Sequence, residues 1–225
     1  MSYNYLPLDR QHTNFQQLKN LLVFDQLVSI TFDAHERILK CREYLDKKMN
    51  DSDGLFYGIN TGFGYLQNVR IDKDQLEQLQ NNLLVSHSCG MGDEVPEPIV
   101  KLMLALKIKS LSYGHSGVQI ATVKRLMDMY NNGVHPVIFT QGSLGASGDL
   151  APLSHLSLPL IGLGEVRHKG VKYPSEVILD DMDWQPIQLQ SKEGLALING
   201  TQFMSAYGLY NLMQAERLLG WANVI

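Results

Sequence analysis

Apolar residues recur at helical spacing along most of this chain. Between Thr31 and Met49 the pattern predicts an amphipathic helix. The face expected to be buried holds Ile38, Cys41, Tyr44 and Leu45.

A second helix is predicted after Asp72, which with Gln75 resembles a capping box. The leucines that follow at helical spacing are Leu76, Leu79, Leu83 and Leu84. This helix should run towards His87 and stop near Gly90. A third helix should begin at Pro98 and continue to about Leu111. It is apolar on several sides, which indicates a buried helix.

The downstream half of the chain also has mainly helical signals. The predicted helices are Gly117–Asn131, capped by Ser116 and ended by Gly133, then Leu150–Ile161, and a last one from Gly200 or Thr201 to Ile225. A short strand is expected at Val137–Phe139 and a hairpin at Glu165–Lys172, turning at Lys169-Gly170. No stop signal closes the last helix, which suggests a piece of a longer chain. A natural terminal helix is the alternative.

These elements predict a mainly α protein. We expect an N-terminal α+β part over residues 1–113 and the start of a long helical bundle over residues 114–225. The boundary should fall near Tyr113 to Ser116, because helices mix with loops before it and dominate after it.

Composition excludes several classes of function. The 225 residues are 44% hydrophobic and 19% charged, with a formal net charge of −4, so a packed core is expected. No basic stripe favours nucleic acid or anionic lipid as a partner. The longest apolar stretch, Leu150 to Leu163, is too short and too interrupted to span a membrane. The N-terminus lacks the apolar segment of a signal peptide.

Cysteine and histidine spacing argues against a metal site or a disulfide framework. Cys41 and Cys89 form no CxxC motif. No two histidines stand at i, i+4 spacing with a carboxylate, so no metal is expected. We therefore expect a reduced compartment, the cytoplasm.

The segment Thr140–Leu153 contains glycines at 142, 145 and 148. An ordinary turn before a helix, with Asp149 facing the helix dipole, is one interpretation. A phosphate-binding loop would need Gly-Lys-Ser/Thr, whereas Asp149 follows Gly148. A nucleophile elbow would need a second glycine where Asp149 stands.

The triplet Ala146-Ser147-Gly148 suits another reaction. The amide nitrogen of Gly148 can attack the carbonyl carbon of Ala146 and close a five-membered ring. Loss of the Ser147 hydroxyl would then leave an exocyclic methylene. The product would be an electrophile that no standard side chain supplies.

Four ordered motifs carry a family resemblance. Gly142–Leu153 is similar to the segment that forms the prosthetic group 4-methylidene-imidazol-5-one (MIO) in the histidine, phenylalanine and tyrosine ammonia-lyases. Tyr57–Gly64 resembles the tyrosine loop of that family, Asn82–Ser88 its selectivity segment, and Glu193–Thr201 its asparagine segment. The resemblance implies a fold of the aspartase/fumarase-like superfamily.

The resemblance also implies residue roles. Ala146, Ser147 and Gly148 would form MIO, with no external cofactor. Tyr57 would remove the β-proton, which requires a phenol pKa below the usual ~10. Asn199 would hydrogen-bond the MIO oxygen or the substrate carboxylate.

Ser86, His87 and Gly64 would contact the substrate. The Ser-His pair resembles that of histidine ammonia-lyases, although some tyrosine lyases share it. Packing or capping roles are the alternatives for Tyr57, His87 and Asn199.

The implied activity is elimination of ammonia from L-histidine to give trans-urocanate. A tyrosine or phenylalanine ammonia-lyase, or an MIO aminomutase, is the alternative within the family. An inactive fragment or assembly module is the alternative of another class, because relatives are about twice as long and supply further residues from their second half. A homotetramer is implied for the complete protein.

Overall fold

The computed structural model describes residues 5–51, 54–72, 75–144 and 148–225, and these are mainly helical. The helices are α1 (Phe15–Val23), α2 (Phe32–Asp51), α3 (Leu76–His87), α4 (Glu97–Ser112), α5 (Ile120–Asn131), α6 (Leu150–Ser157), α7 (Ser175–Asp181), α8 (Glu193–Ile198) and α9 (Gln202–Ala222). Short 3₁₀ turns cover Gly64–Leu66 and Leu158–Ile161. The predicted mainly α class is confirmed.

In the part of the chain that the structure describes, the strands are short and form three small sheets. They are β1 (Tyr5–Leu8), β2 (Leu27–Ile30), β3 (Met91–Glu94), β4 (Val134–Pro136), β5 (Phe139–Gln141), β6 (Glu165–His168) and β7 (Val171–Pro174). β1 pairs with β2 in parallel, β3 pairs with β5 antiparallel, and β4, β6 and β7 form an antiparallel sheet in that order. The hairpin predicted to turn at Lys169-Gly170 is confirmed as β6 and β7.

Helix α4 lies at the centre of the core. Residues on all its sides are buried, as its sequence predicted, and it packs on α1, α2, α5 and α9. One hydrophobic cluster includes residues on both sides of the predicted boundary near Tyr113. The boundary itself stays a prediction.

The buried face of α2 differs from the predicted one at one position. Ile38 and Leu45 are buried, but the Tyr44 side chain is 68% exposed. Arg42 is buried instead, and its guanidinium donates to the carbonyl oxygens of Gly117 at 2.8 Å and Ser191 at 2.9 Å. A hydrogen-bonded guanidinium can occupy a buried face, which a count of apolar residues does not detect.

One predicted helix start is wrong, and another falls partly outside the described residues. α3 begins at Leu76, and the side chain of Gln75, in its cap position, makes no capping bond. The capping box predicted from Asp72 to Gln75 encloses residues 73 and 74, which are not described. α5 begins at Ile120 rather than Gly117, with Gln119 in the cap position instead of Ser116. Gly117 has a φ of +70°, which is outside the helical region.

Other boundaries shift by a few residues. The strand predicted at Val137–Phe139 is replaced by β4 and β5 on either side of Val137 and Ile138, which are buried. α6 gives way to a 3₁₀ turn at Leu158, and α9 ends at Ala222. Among the described residues, no helix is long and apolar enough to cross a membrane.

The buried guanidinium of Arg42 gives a stability prediction. We expect Arg42→Met to lower the free energy of unfolding by about 2–4 kcal/mol, because two buried carbonyl oxygens lose their donor. Lys40→Met, on an exposed position of the same helix, should change it by less than about 0.5 kcal/mol. Urea unfolding followed by circular dichroism measures both. Equal effects of the two substitutions would contradict the structural role of Arg42.

Candidate active site

The loop that carries Tyr57 is anchored by a buried asparagine. The Asn60 side chain accepts a hydrogen bond from the Phe56 amide at 2.7 Å and donates to the Gly54 carbonyl at 2.9 Å. The Tyr57 side chain is 55% exposed, and its ring meets Phe63 edge-on. The Gly64 amide lies 3.5 Å from the Tyr57 hydroxyl oxygen. The loop therefore presents the phenol at the surface of the described chain.

The same loop packs closely on α8. A Cβ at Gly58 would lie 2.5 Å from Cδ2 of Leu195, and Gly58 has a φ of +69°. Only glycine combines this φ with such a close approach at low cost. Because α8 leads into Asn199, the contact brings the tyrosine loop and the asparagine segment to the same helix.

Ser86 and His87 stand at the last turn of α3. The Nδ1 atom of His87 lies 2.9 Å from the Leu83 carbonyl oxygen and 3.1 Å from the Ser86 hydroxyl. A carbonyl oxygen only accepts, so Nδ1 carries the proton of this bond. In the neutral ring Nε2 then carries the lone pair and can accept a hydrogen bond.

Helix α6 holds the segment around His87 in place. The Ser154 hydroxyl donates to the Leu84 carbonyl. The Gly90 amide donates to Nε2 of His155 at 3.0 Å, and the His155 ring stacks edge-on against Phe139. Burial lowers the pKa of His155, which favours the neutral ring that this bond needs. His155 therefore anchors the backbone at Gly90, three residues after His87.

Gly145, Ala146 and Ser147 lie outside the described residues, whereas Leu144 and Gly148, which flank these three, are described. Leu144 and Gly148 pair in an isolated antiparallel bridge. The Asp149 amide donates to the Gly200 carbonyl at 2.8 Å. The C-terminal end of the predicted precursor loop is thus bonded to the residue that follows Asn199.

Gly148 sits where no side chain fits. It is buried, has a φ of +118°, and a Cβ there would lie 2.6 Å from the Gly200 oxygen and 3.0 Å from its nitrogen. Real Cβ atoms do not approach backbone this closely. The packing against Gly200 therefore requires glycine at position 148, independently of the proposed ring closure.

Asp149 joins three segments. Its carboxylate accepts a hydrogen bond from the Ser143 hydroxyl at 2.6 Å and another from the Met204 amide, in the first turn of α9, at 3.1 Å. It makes no side-chain cap of its own helix α6. Asp149 does stand at the position before α6, as one interpretation of the sequence placed it, but its carboxylate bonds to the first turn of α9.

Asn199 ends α8 in extended conformation, and its side chain is exposed. Its carbonyl oxygen accepts a hydrogen bond from Nζ of Lys107 at 3.1 Å, and the Ala196 carbonyl accepts from the same Nζ at 2.8 Å. Lys107 is 1% exposed. Burial lowers its pKa from 10.5 to about 7, and the nearby Asp149 carboxylate opposes that shift.

The described residues therefore bring the four predicted site segments together through three contacts. Gly148 meets Gly200 directly, beside Asn199. The tyrosine loop reaches α8 through Gly58, and the end of α3 reaches α6 through Gly90. Among the described residues, no cluster of three histidine, cysteine or acidic side chains is arranged to hold a metal ion.

The buried polar residues that support these segments were not predicted from the sequence. Glu193 is fully buried at the start of α8, and its carboxylate accepts four hydrogen bonds, from the Gln190 amide, the Gln119 amide and side chain, and the Thr122 hydroxyl. Lys107 had a visible signal, a lysine between Leu106 and Ile108 in a helix predicted to be buried. Glu193 had none beyond its place in the asparagine segment.

Comparison with known proteins places these features in a family. A family model described as aromatic amino acid lyase matches residues 14–225. The chain is 46% identical over 217 residues to the histidine ammonia-lyase of Deinococcus radiodurans, covering 96% of this chain and 41% of that protein. It is 46% identical over 213 residues to that of Staphylococcus saprophyticus, covering 95% and 42%. The chain thus spans about two fifths of the length of these curated relatives.

Solved structures agree in fold. The histidine ammonia-lyase from Trypanosoma cruzi superposes with a TM-score of 0.86 at 37% identity, over 94% of this chain and 41% of that one. The phenylalanine aminomutase of Pantoea agglomerans superposes with a TM-score of 0.88 at 27% identity, over 97% and 42%.

The bond between Gly90 and His155 gives a pH prediction. The pKa of His155 in the folded state lies below its value in the unfolded state, near ~6.5. Between these two pKa values the unfolded state binds more protons than the folded state. The stability contributed by neutral His155 is therefore complete above about pH 6.5 and is lost as pH falls through the lower, folded-state pKa. His155→Gln keeps a hydrogen-bond acceptor and does not titrate.

We expect acidification from pH 7 to pH 5 to speed amide hydrogen exchange at Gly90, after correction for intrinsic rates, more in the wild type than in His155→Gln. Exchange in α4 serves as the internal control. The same pH dependence in both proteins would show that His155 does not hold this segment.

Proposed function

We propose, because this chain belongs to the aromatic amino acid lyase family, that the whole protein eliminates ammonia from L-histidine and releases trans-urocanate. The family expected from the four sequence motifs is confirmed. Identities of 46% to two histidine ammonia-lyases support histidine as the substrate. The chain spans 41% of the first of these relatives, so the activity is proposed for the whole protein.

The observation that carries the proposal is the packing of Gly148 on Gly200. It joins the end of the predicted precursor triplet to the segment that bears Asn199, with the Asp149 amide bonded to the Gly200 oxygen at 2.8 Å. A site in which one loop becomes the electrophile and the next segment binds its oxygen needs these two stretches in contact.

The described residues fit the formation of MIO. The Gly148 nitrogen would bond to the carbonyl carbon of Ala146, and the carbonyl oxygen would leave as water with the amide hydrogens of Gly148 and Ser147. Ser147 would lose its hydroxyl and its α-hydrogen as a second water, which leaves the methylene. A residue without Cβ is needed at the attacking nitrogen, and the space at Gly148 admits no Cβ. MIO supplies an electrophilic carbon that accepts electrons from the substrate.

The remaining proposed roles use groups of this chain. Tyr57 takes the β-proton at its hydroxyl oxygen, which lies 3.5 Å from the Gly64 amide. Nε2 of His87 can accept a hydrogen bond from the substrate imidazole, beside Ser86. The Asn199 amide can donate to an oxygen on which negative charge develops.

Aminomutase chemistry is the second candidate. The structure of a phenylalanine aminomutase matches this chain with a TM-score of 0.88, and aminomutation would begin at the same site. The higher identity to histidine ammonia-lyases favours simple elimination. The isolated 225 residues are proposed to be inactive, because further substrate contacts are expected from the rest of the protein.

Assembly and compartment belong to the same proposal. The last turns of α9 expose Leu218, Leu219 and Trp221, and so large an apolar surface is expected to be covered by further chain or other subunits. We propose a homotetramer as the working form. Both cysteines are free, which supports a reduced, cytoplasmic setting.

The proposal is tested by the mass of the whole protein. We expect the folded protein to be lighter than its sequence by two molecules of water, with the loss confined to the peptide that contains residues 146–148. Gly148→Ala should retain both waters, because the added Cβ cannot be placed next to Gly200. Gly170→Ala, where a Cβ would meet no atom within 4 Å, should lose both. A wild type of full mass would overturn the proposal.

Substrate choice is tested by product formation. We expect the whole protein to release an ultraviolet-absorbing acid from L-histidine, with much slower release from L-tyrosine and L-phenylalanine. Conversion of any of the three to its β-amino acid would favour the aminomutase instead. No product from histidine would rule out a histidine ammonia-lyase.

The role of Asn199 is tested by substitution. Asn199→Ala should lower kcat by about 10²–10³-fold, the usual effect of losing one donor to a developing oxyanion. Asn132→Ala removes an exposed side-chain amide in the turn after α5 and should leave kcat unchanged. A fall in kcat of less than about threefold for Asn199→Ala would refute the role.

A further inference from the structure

Lys107 is the buried cation of helix α4. Its side chain is 1% exposed, between Leu106 and Ile108. Lys101 and Lys109, on the same helix, reach partners near the surface. Burying an amine costs free energy unless it forms hydrogen bonds. The hydrogen-bond partners of Lys107 therefore indicate its structural role.

Those contacts are made with the end of α8. Nζ donates to the Ala196 carbonyl at 2.8 Å and to the Asn199 carbonyl at 3.1 Å. The last carbonyls of a helix have no partner within the helix, and here one ammonium serves two of them. Lys107 therefore holds the point where the chain leaves α8 and enters the extended Asn199-Gly200 stretch.

This stretch is the surface on which the precursor loop rests. The carbonyl of Asn199 belongs to the peptide unit that contains the Gly200 nitrogen, and a Cβ at Gly148 would lie 3.0 Å from that nitrogen. The Gly200 carbonyl, in the next peptide unit, accepts a hydrogen bond from the Asp149 amide. The Asp149 carboxylate in turn raises the pKa of Lys107 against its burial. Lys107 thus interacts with both stretches that meet here, through a hydrogen bond to Asn199 and electrostatically with Asp149.

We propose that Lys107 is a positioning residue, whose two hydrogen bonds fix the Asn199-Gly200 backbone against which Gly148 is held for ring closure. The inference rests on the proposed function, since it assigns Lys107 to the same reaction of residues 146–148. Within the described part of the chain, Lys107 donates its hydrogen bonds to backbone carbonyls alone. It acts through the peptide unit between Asn199 and Gly200.

The test compares three variants of the whole protein. Lys107→Met keeps the length and apolar stem of the side chain without its donors. Lys107→Arg keeps donors on a stem of similar reach. Lys109→Met is the matched control, because Lys109 is also in α4 and also donates to backbone carbonyls, those of Asp9 and Gln11, remote in sequence from the loop.

Ring formation is followed by mass in protein sampled at intervals after cell-free synthesis. We expect Lys107→Met to lose its two waters about ten- to a hundredfold more slowly than the wild type, as small misplacements of reacting groups do. Lys107→Arg should recover most of the rate, and Lys109→Met should match the wild type. Faster hydrogen exchange of the Asp149 amide in Lys107→Met, without change in α5, should accompany the slower reaction.

Three results would overturn the inference. The first is a folded Lys107→Met protein that cyclises at the wild-type rate, and the second is a Lys109→Met protein that is slowed as much as Lys107→Met. If Lys107→Met fails to fold, Lys107→Arg decides: a folded Lys107→Arg protein that cyclises no faster than about one hundredth of the wild-type rate overturns it. A wild type that retains both waters would instead refute the proposed function, and these outcomes are therefore distinguishable.

Discussion

The oxygen of Gly200 lies where a side chain at residue 148 would begin. A Cβ there would come within 2.6 Å of that oxygen, so the precursor loop can meet the asparagine segment only because residue 148 is glycine. The contact is made by backbone on both sides, and the Asp149 amide bonds the two stretches together. Every proposed role at the site depends on this approach, because it sets where the loop lies relative to Asn199.

Buried polar groups hold this backbone junction from several directions. Lys107 binds the carbonyls at the end of α8, Asp149 caps α9, and Glu193 binds backbone and side-chain donors near the starts of α5 and α8. Each carries a charge or a strong hydrogen-bonding group into the interior, and each is satisfied by hydrogen bonds. Such satisfied groups specify one arrangement of loops more sharply than apolar packing does.

The sequence predicted the long helices well because their apolar periodicity is strong. α2, α4 and the end of α3 lie within two residues of the predicted bounds. Short elements were missed: α1, α7, α8 and the β1–β2 pair have too few turns or residues to show a period. Arg42 in place of Tyr44 on the buried face of α2 depends on carbonyls 75 and 149 residues away, which no local pattern contains.

In the candidate site, too, local motifs were visible in the sequence and long-range hydrogen bonds were not. Tyr57, His87, Gly148 and Asn199 are predicted as site residues because each lies in a local motif. The bonds that hold them, from Lys107 to Asn199 and from Gly90 to His155, join residues 92 and 65 positions apart. Their partners are backbone atoms, which carry no residue identity, so a single sequence gives no sign of the pairing.

An electron-density map of the whole protein at atomic resolution would show whether residues 146–148 form the ring. We predict a planar five-membered ring across these residues, in contact with the Asn199 side chain, and an Asp149 nitrogen still bonded to the Gly200 oxygen. An open peptide with the Ser147 hydroxyl in place, in protein that releases ammonia from histidine, would contradict it.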